Sequence, residues 1–535
     1  MKTPLARAAL EARSLVALAR AGALPVTAPH LLPSMALTAA QYGPFGAAPR
    51  LAAMRHPNRP AIADERGQIS YRTLDEQVNR LANVLRDRYE PGQTLGILCR
   101  NHRAPLIAAF AASRAGLNTV WLNTAFSAPQ AAEVAAREGI NLLVHDADLA
   151  AVAADVVADK LVTDITQRTD ELDELIATGS PTTPPPPARP GRLVLLTSGT
   201  TGTPKGAPRT EPRGYTLPGS LLDRMPMRSG GATVIGPPLF HGTGLIMTLL
   251  TIATGSKVVL RRHFDPEQFL GDIARNRADT VCAVPVLLQR TLALGQETIA
   301  RYDTSSLRIV FCSGAALPAA VSAAFQDQFG PVIYNLYGST EVSVATLATP
   351  DVVRDHPTSV GLPALGSRVA ILDEAGRRVP QGERGRIFVG TVTPFEGYTG
   401  GGGKEIIDGM LATGDVGHFD RAGLLYVDGR DDDMIVSGGE NVFPAEVEEL
   451  LVAHPAVHEV AVVGVEDEEF GRRLRAFVVL LPGARLEADE VRTHVRENLA
   501  RYKVPRDVIF LDELPRNPTG KVLKRTLVTW DQDNA

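Results

Sequence analysis

The chain has 535 residues, 44% of them apolar, and a formal charge of −5 from 55 basic and 60 acidic side chains, a length that calls for two or more domains. With no block of like charge, nothing points to a nucleic-acid partner, and three scattered cysteines exclude a disulfide framework or zinc site and fit a reducing cytoplasm. No run approaches the roughly 20 apolar residues of a spanning helix, and Arg7, Glu11, Arg13 and Arg20 interrupt the first 24 residues as a signal peptide.

The opening segment places Leu5, Ala8, Ala12, Leu15, Val16 and Ala19 at helical spacing. It predicts an amphipathic helix, packed on the body or simply loose; a basic amphipathic helix is also compatible with peripheral membrane contact. Residues 61–160 alternate short apolar runs, such as 94–99, with Ala-rich helical stretches, such as 105–115, the rhythm of an α/β domain. Residues 181–190 hold four consecutive prolines and read as a stiff connector. The α/β rhythm resumes from Arg192 to about Gly429, with strands expected at 258–260, 307–311 and 331–334. After Arg430 a helix at 444–453, strands at 459–465 and 475–481, and a helix at 488–500 read as a compact α+β unit. The division is an N-terminal extension (1–50), a large α/β domain (51–430) and a small domain (431–535), with a boundary near Asp431.

Chemistry first shows where the apolar run 193–196 meets Thr197-Ser-Gly-Thr-Thr-Gly-Thr-Pro-Lys-Gly206. Glycines allow close backbone approach, hydroxyls donate hydrogen bonds and Lys205 adds positive charge, a combination suited to a polyphosphate. The spacing is not that of a P-loop, since no Ser or Thr follows the lysine. The ten-residue string resembles the phosphate-binding signature of the adenylate-forming superfamily of acyl-CoA synthetases, luciferases and adenylation domains. The resemblance continues in family order through Tyr337-Gly-Ser-Thr-Glu341, Thr413-Gly-Asp415, Gly429-Arg430, Ser437-Gly-Gly-Glu-Asn-Val-Phe-Pro444 and Pro515-Arg-Asn-Pro-Thr-Gly-Lys521.

The resemblance implies an α/β fold, with a large multi-subdomain N-terminal domain and a small mobile α+β C-terminal domain. It also implies ATP, Mg2+ and coenzyme A as cofactor and co-substrates of carboxylic-acid activation. Thr197, Ser198, Gly199, Thr200, Thr201, Gly202 and Lys205 would then meet the phosphates. Tyr337 offers a face for adenine, with Gly314, Ala315, Ala316, Asn335 and Gly338 giving room and amides around it. Thr340 is implied at the α-phosphate and Glu341 at the metal, a single carboxylate with phosphate oxygens and waters being a usual magnesium set. Asp415 and Arg430 would reach the ribose, and His241 the acyl carboxylate. Lys521, carried on the mobile domain, would bridge carboxylate and α-phosphate, two anions whose encounter needs a cation. Rotation about Asp432 would then open the path of the pantetheine arm along Ser437, Gly438 and Gly439.

Three departures from the family pattern stand out: Arg386 and Met410 replace an acidic and an aromatic residue, and the loop 397–403 is short. The small-residue loop at 437–439 favours CoA as acceptor over a carrier protein. Residues 242–250 are apolar and rich in small side chains, suited to an alkyl tunnel or a buried helix. A medium- or long-chain fatty acid is therefore the expected acid, with an aryl acid as the alternative, in a cytoplasmic enzyme, with membrane association as the alternative.

Overall fold

The computed structural model describes residues 4–197, 205–209, 214–392, 395, 397–399, 401–431, 435–437, 440–442, 444–467, 471–499, 503–517 and 520–530. Two helices open the chain, α1 (Pro4–Arg20) and α2 (Leu32–Arg55), and α2 kinks at Gly43, whose φ of 70° a glycine adopts without steric cost. A six-stranded sheet follows. Its order is Asp159–Thr163, Ile140–Asp146, Thr94–Leu98, Asn118–Trp121, β1 (Leu193–Thr197) and β2 (Lys205–Arg209), with only the last pair antiparallel. The Val-, Ile- and Leu-rich runs of its parallel strands suit burial on both faces.

The helix α3 (Gly242–Ala253) lies between this layer and a fourteen-stranded sheet. The centre of that larger sheet is parallel and ends in β3 (Ile309–Cys312) and β4 (Ile333–Ser339). From β4 onward the pairing turns antiparallel, through β5 (Ser343–Ala348) to β6 (Met410–Phe419) and β7 (Leu425–Arg430). Beyond Arg430 strands pair only with later strands among the described residues: β8 (Val457–Asp467), β9 (Gly471–Leu480) and β10 (Asp507–Phe510) make a small sheet under α4 (Pro444–Val452).

Most expected elements are present, with shifted ends. The helix expected at 105–115 begins at Arg103, because the His102 ring accepts the Ala104 N–H and caps it. Strand ends moved by one to five residues where pairing, rather than hydropathy, sets the limit; the strand expected at 307–311 runs over Ile309–Cys312, and that expected at 331–334 over Ile333–Ser339. The helix expected to end at 500 stops at Asn498.

The N-terminal helix is packed on the body, through a face other than its regular apolar stripe. Leu10, Ser14, Ala17, Leu18 and Ala21 are buried, whereas Leu5, Ala8, Ala12 and Val16 face outward. Polar pairing fixes this rotation. Arg13 pairs with Asp223 at 2.7 Å, and Glu11 accepts hydrogen bonds from the Tyr215 amide and the Thr216 hydroxyl, both at 2.9 Å. Ser14 sits so close to Gly219 that a Cβ there would meet Ser14 Cβ at 2.5 Å. The small Ser14 and Gly219 thus let the helix approach closely, with Leu10 and Leu18 buried beside them. Among the described residues no helix is long and apolar enough to cross a membrane.

Candidate active site

A cavity of about 1860 Å3 opens at the carboxyl ends of the parallel strands and extends along α3, the position where open α/β sheets collect ligands. Its walls bring together Lys205, His241, Gly314, Ala315, Ala316, Asn335, Tyr337, Gly338, Thr340, Glu341, Asp415, Arg430 and Lys521. Ser313 to Ala316 follow the end of β3, and Asn335, buried in β4, stands opposite Cys312.

The nucleoside end is built by cross-strand pairing. Asp415 on β6 faces Arg430 on β7 in register, and their side chains meet at 3.4 Å. The other carboxylate oxygen accepts a 2.5 Å hydrogen bond from the Tyr337 hydroxyl on β4. Burial, followed by the Asp415 charge, pushes the Tyr337 phenol well above its usual range, so it stays a donor. Sequence reasoning placed Tyr337 and Asp415 in one site as separate contacts; their direct bond, across 78 positions of chain, comes from the sheet alone.

At the phosphate end, Glu341 accepts hydrogen bonds from Ser339 at 2.8 Å and from Tyr398 at 2.6 Å. Burial pushes its carboxyl upward, but the bonds from Tyr398 and Ser339, helped by Lys404, outweigh that and hold it below the ordinary range. An ionised carboxylate on the cavity wall fits magnesium, which is commonly held by one or two carboxylates together with substrate phosphates. Among the described residues the one three-donor cluster is the buried trio Cys99, His102 and Asp146, which belongs to the end of another strand. Glu341, ionised on the cavity wall, is a residue that could hold the ion there.

Tyr398 and Thr399 were missed by sequence reasoning. They lie in the short loop noted as a departure from the family pattern, and no periodicity marks them. Thr399 ties that loop to β2: its hydroxyl accepts from the Gly206 amide at 2.8 Å and donates to Glu138 at 2.6 Å. Lys205 stands 6.0 Å from the centre of the Tyr398 ring and donates to the Gly401 carbonyl at 3.4 Å. The two other departures have partners as well. Arg386 pairs with Glu405 at 2.5 Å and with Asp431 at 3.4 Å, while Met410 is buried in a satellite core under β6.

His241 caps the start of α3, its ring 4.6 Å from that of Phe240. Burial lowers its pKa to about 4, and its Nε2 atom is buried without a hydrogen-bond partner. The ring lines the cavity as a neutral imidazole, with Nε2 itself closed off from open space. Lys521 arrives from the C-terminal unit. Gly520 adopts a φ of +79°, and a Cβ there would strike Val286 Cγ1 at 2.4 Å, so glycine lets this loop press against the large domain. Arg516 on Glu459 at 2.9 Å and Lys524 on Glu448 at 2.7 Å fix the loop within its own unit.

Several expected residues lie outside the described residues: Ser198, Gly199, Thr200, Thr201 and Gly202 of the phosphate loop, Gly438 and Gly439 of the pantetheine path, and the hinge Asp432. Thr197 ends β1 and Ser437 ends a three-residue strand, their side chains likewise outside that description.

Comparison with known proteins agrees with this geometry. The family model described as "AMP-binding enzyme" matches residues 50–399, and that described as "AMP-binding enzyme C-terminal domain" matches residues 446–521. A feruloyl-CoA synthase of Amycolatopsis sp. is 34% identical over 486 residues, covering 90% of this chain and 97% of its own. A fatty acid–[acyl-carrier-protein] ligase of Streptomyces coeruleorubidus is 30% identical, over 89% of this chain and 94% of its own. The ATP-bound structure of MatB from Rhodopseudomonas palustris superposes with a TM-score of 0.81 at 29% identity, covering 89% and 96% of the two chains. With a large α/β domain, a small C-terminal unit and the adenylate motifs gathered around one cavity, the chain belongs to the AMP-binding enzymes, the adenylate-forming superfamily, in its CoA-ligase branch.

Proposed function

We propose that this ATP-, Mg2+- and CoA-dependent acid ligase acts on a medium- or long-chain fatty acid. One observation carries the choice of acid: the cavity continues from Glu341 and Lys521 along α3, past Leu245, Ile246, Leu249 and Leu250, with no acidic or basic side chain of α3 in its path. At 12 residues and about 1.5 Å each, α3 is roughly 18 Å long, enough to accompany an extended alkyl chain.

In the first half-reaction the carboxylate oxygen attacks the α-phosphorus, the bond to the bridging oxygen breaks and pyrophosphate leaves. Lys521 spans the two approaching anions and stabilises the charge that builds on the phosphoryl oxygens. Thr340 contacts the same phosphate, Tyr337, Asp415 and Arg430 hold the nucleoside, and Glu341 would hold the magnesium ion, which supplies charge neutralisation when bound. The phosphate loop from Thr197 to Lys205 holds the departing pyrophosphate. In the second half-reaction the CoA sulfur, having released its proton, attacks the acyl carbon and AMP leaves. The small domain from residue 431 onward turns about Asp432 between the two steps, and the pantetheine passes Ser437, Gly438 and Gly439.

A second reading, transfer to a carrier protein, draws on the Streptomyces relative, and an aryl acid draws on the feruloyl-CoA synthases. One experiment separates all three: pyrophosphate release with acids from acetate to oleate and with benzoates and ferulate, then thioester formation on CoA or on carrier protein. The expected result is highest kcat/KM on fatty acids with CoA as acceptor. Highest kcat/KM on ferulate or a benzoate overturns the fatty-acid reading.

A further inference from the structure

Residues 1–49 precede the segment matched by the family model, which begins at residue 50, yet they form part of the cavity wall. Besides His241 and α3 as far as Ala253, the cavity is lined by Leu24 and by the first half of α2, at Met35, Ala36 and Ala39. The wall is apolar on both sides, and two alanines stand where larger side chains would close the gap. Its outer rim is open: Leu32 is 44% exposed, and Ala36 is exposed as well.

This wall is held in place. Arg55, at the base of α2, donates to the carbonyls of Leu51, Gly22 and Ala253 at 3.1, 2.7 and 2.6 Å. It thereby links α2, the turn after α1 and the last turn of α3, where a cation also meets the negative end of the helix dipole. Burial lowers this guanidinium to about 10, which still leaves it charged at neutral pH. Tyr42 donates to the Pro184 carbonyl at 2.5 Å, and the fully buried Arg114 donates to the Gly46 carbonyl at 3.1 Å. An arm free to leave the body would not carry three such ties, two of them buried.

We propose that the N-terminal extension is the distal wall of the acyl tunnel, with Ala36 and Ala39 as the positions that admit the tail of a long chain. This rests on the fatty-acid reading above and goes beyond it by naming the residues that set chain length. No charged residue of α2 or of the preceding turn, other than the carbonyl-bound Arg55, lines this stretch, so what it selects is apolar length.

The test uses the full-length enzyme and compares kcat/KM for octanoate and hexadecanoate in wild type, Ala36→Trp, Ala39→Trp and Leu37→Trp. Leu37 is 58% exposed and off the cavity wall, so Leu37→Trp controls for a bulky indole on α2. The expected result is a fall in the hexadecanoate-to-octanoate ratio of about tenfold or more in the two alanine variants, the loss that follows when a few methylenes are displaced from an apolar site. Leu37→Trp should keep the wild-type ratio. Because Ala36 is exposed at the rim, Ala36→Trp tests the idea even if Ala39→Trp does not fold. A wild-type preference for hexadecanoate that Ala36→Trp retains overturns the proposal and leaves the fatty-acid reading intact. A wild-type enzyme that uses benzoates or ferulate in preference to both fatty acids overturns the reading, and the proposal with it.

Discussion

The two ends of the cavity are built on opposite principles. At the adenylate end polar side chains are tied across elements: Tyr337 to Asp415, Asp415 to Arg430, Tyr398 to Glu341, Thr399 to Glu138. At the acyl end the wall is Leu, Ile, Met and Ala, and what it offers is volume. Hydrogen bonds and charges depend on direction and distance, so a change of one atom at the first end is costly. Apolar packing depends on shape and size, so the second end tolerates exchange of side chains and is tuned by their bulk. On the proposed reading one end sets the reaction and the other the substrate.

Four changes would break or sharpen that contrast. The largest effect is expected for Lys521→Ala, which removes the cation from the phosphoryl transfer. Acyl-AMP formation should drop by roughly 10²–10³-fold or more, while conversion of supplied acyl-AMP and CoA to thioester continues. Following the half-reactions separately checks this, and an equal loss in both would show that Lys521 does not belong to the adenylate end.

Arg55→Leu attacks the acyl end through its anchor. It leaves the carbonyls of Gly22 and Ala253 without their donor, at about 1–3 kcal/mol for each unpaired group. The thermal midpoint should fall, and activity on long acids should fall further than activity on short ones. Denaturation curves together with the fatty-acid panel provide the check; a parallel loss on all acids would separate Arg55 from chain-length selection.

Tyr398→Phe returns to the phosphate end with a single hydroxyl. Without that hydrogen bond the burial of Glu341 is less well offset, so its carboxyl pKa rises. The acid limb of the pH–rate profile should move to higher pH, with kcat near neutrality reduced only a few-fold. An unmoved acid limb would mean that Glu341 does not govern activity.

The smallest effect is expected from His241, where the two ends meet. Its folded pKa of about 4 lies below the ordinary 6.5, so the unfolded chain takes up a proton that the folded one refuses. Stability from this group is full above pH 6.5 and declines as the pH falls toward about 4. His241→Gln should make the fall in thermal midpoint across that window shallower, though His56, lowered to about 4 by burial and by Arg59 and Arg55, keeps part of the slope. Identical slopes in variant and wild type would contradict a buried neutral imidazole at the head of α3.

By itself the sequence determined the order of the adenylate motifs, because each is a contiguous string whose glycines, hydroxyls and charges must stand in fixed succession around a nucleotide. It also determined the alternation of strand and helix, which follows from local hydropathy and helix-breaking residues. Tyr398 and Thr399 were not legible, since they act through Glu341 and Glu138, 57 and 261 positions away. Nor was the buried face of α1. Its outward stripe of Leu5, Ala8, Ala12 and Val16 is the more regular apolar pattern, and it lost to an ion pair, two hydrogen bonds and the close approach of Ser14 to Gly219. The tertiary structure alone decided that Met35, Ala36 and Ala39 line the same cavity as α3, because an apolar wall leaves no motif: its residues are ordinary apolar residues until distant segments enclose a space between them.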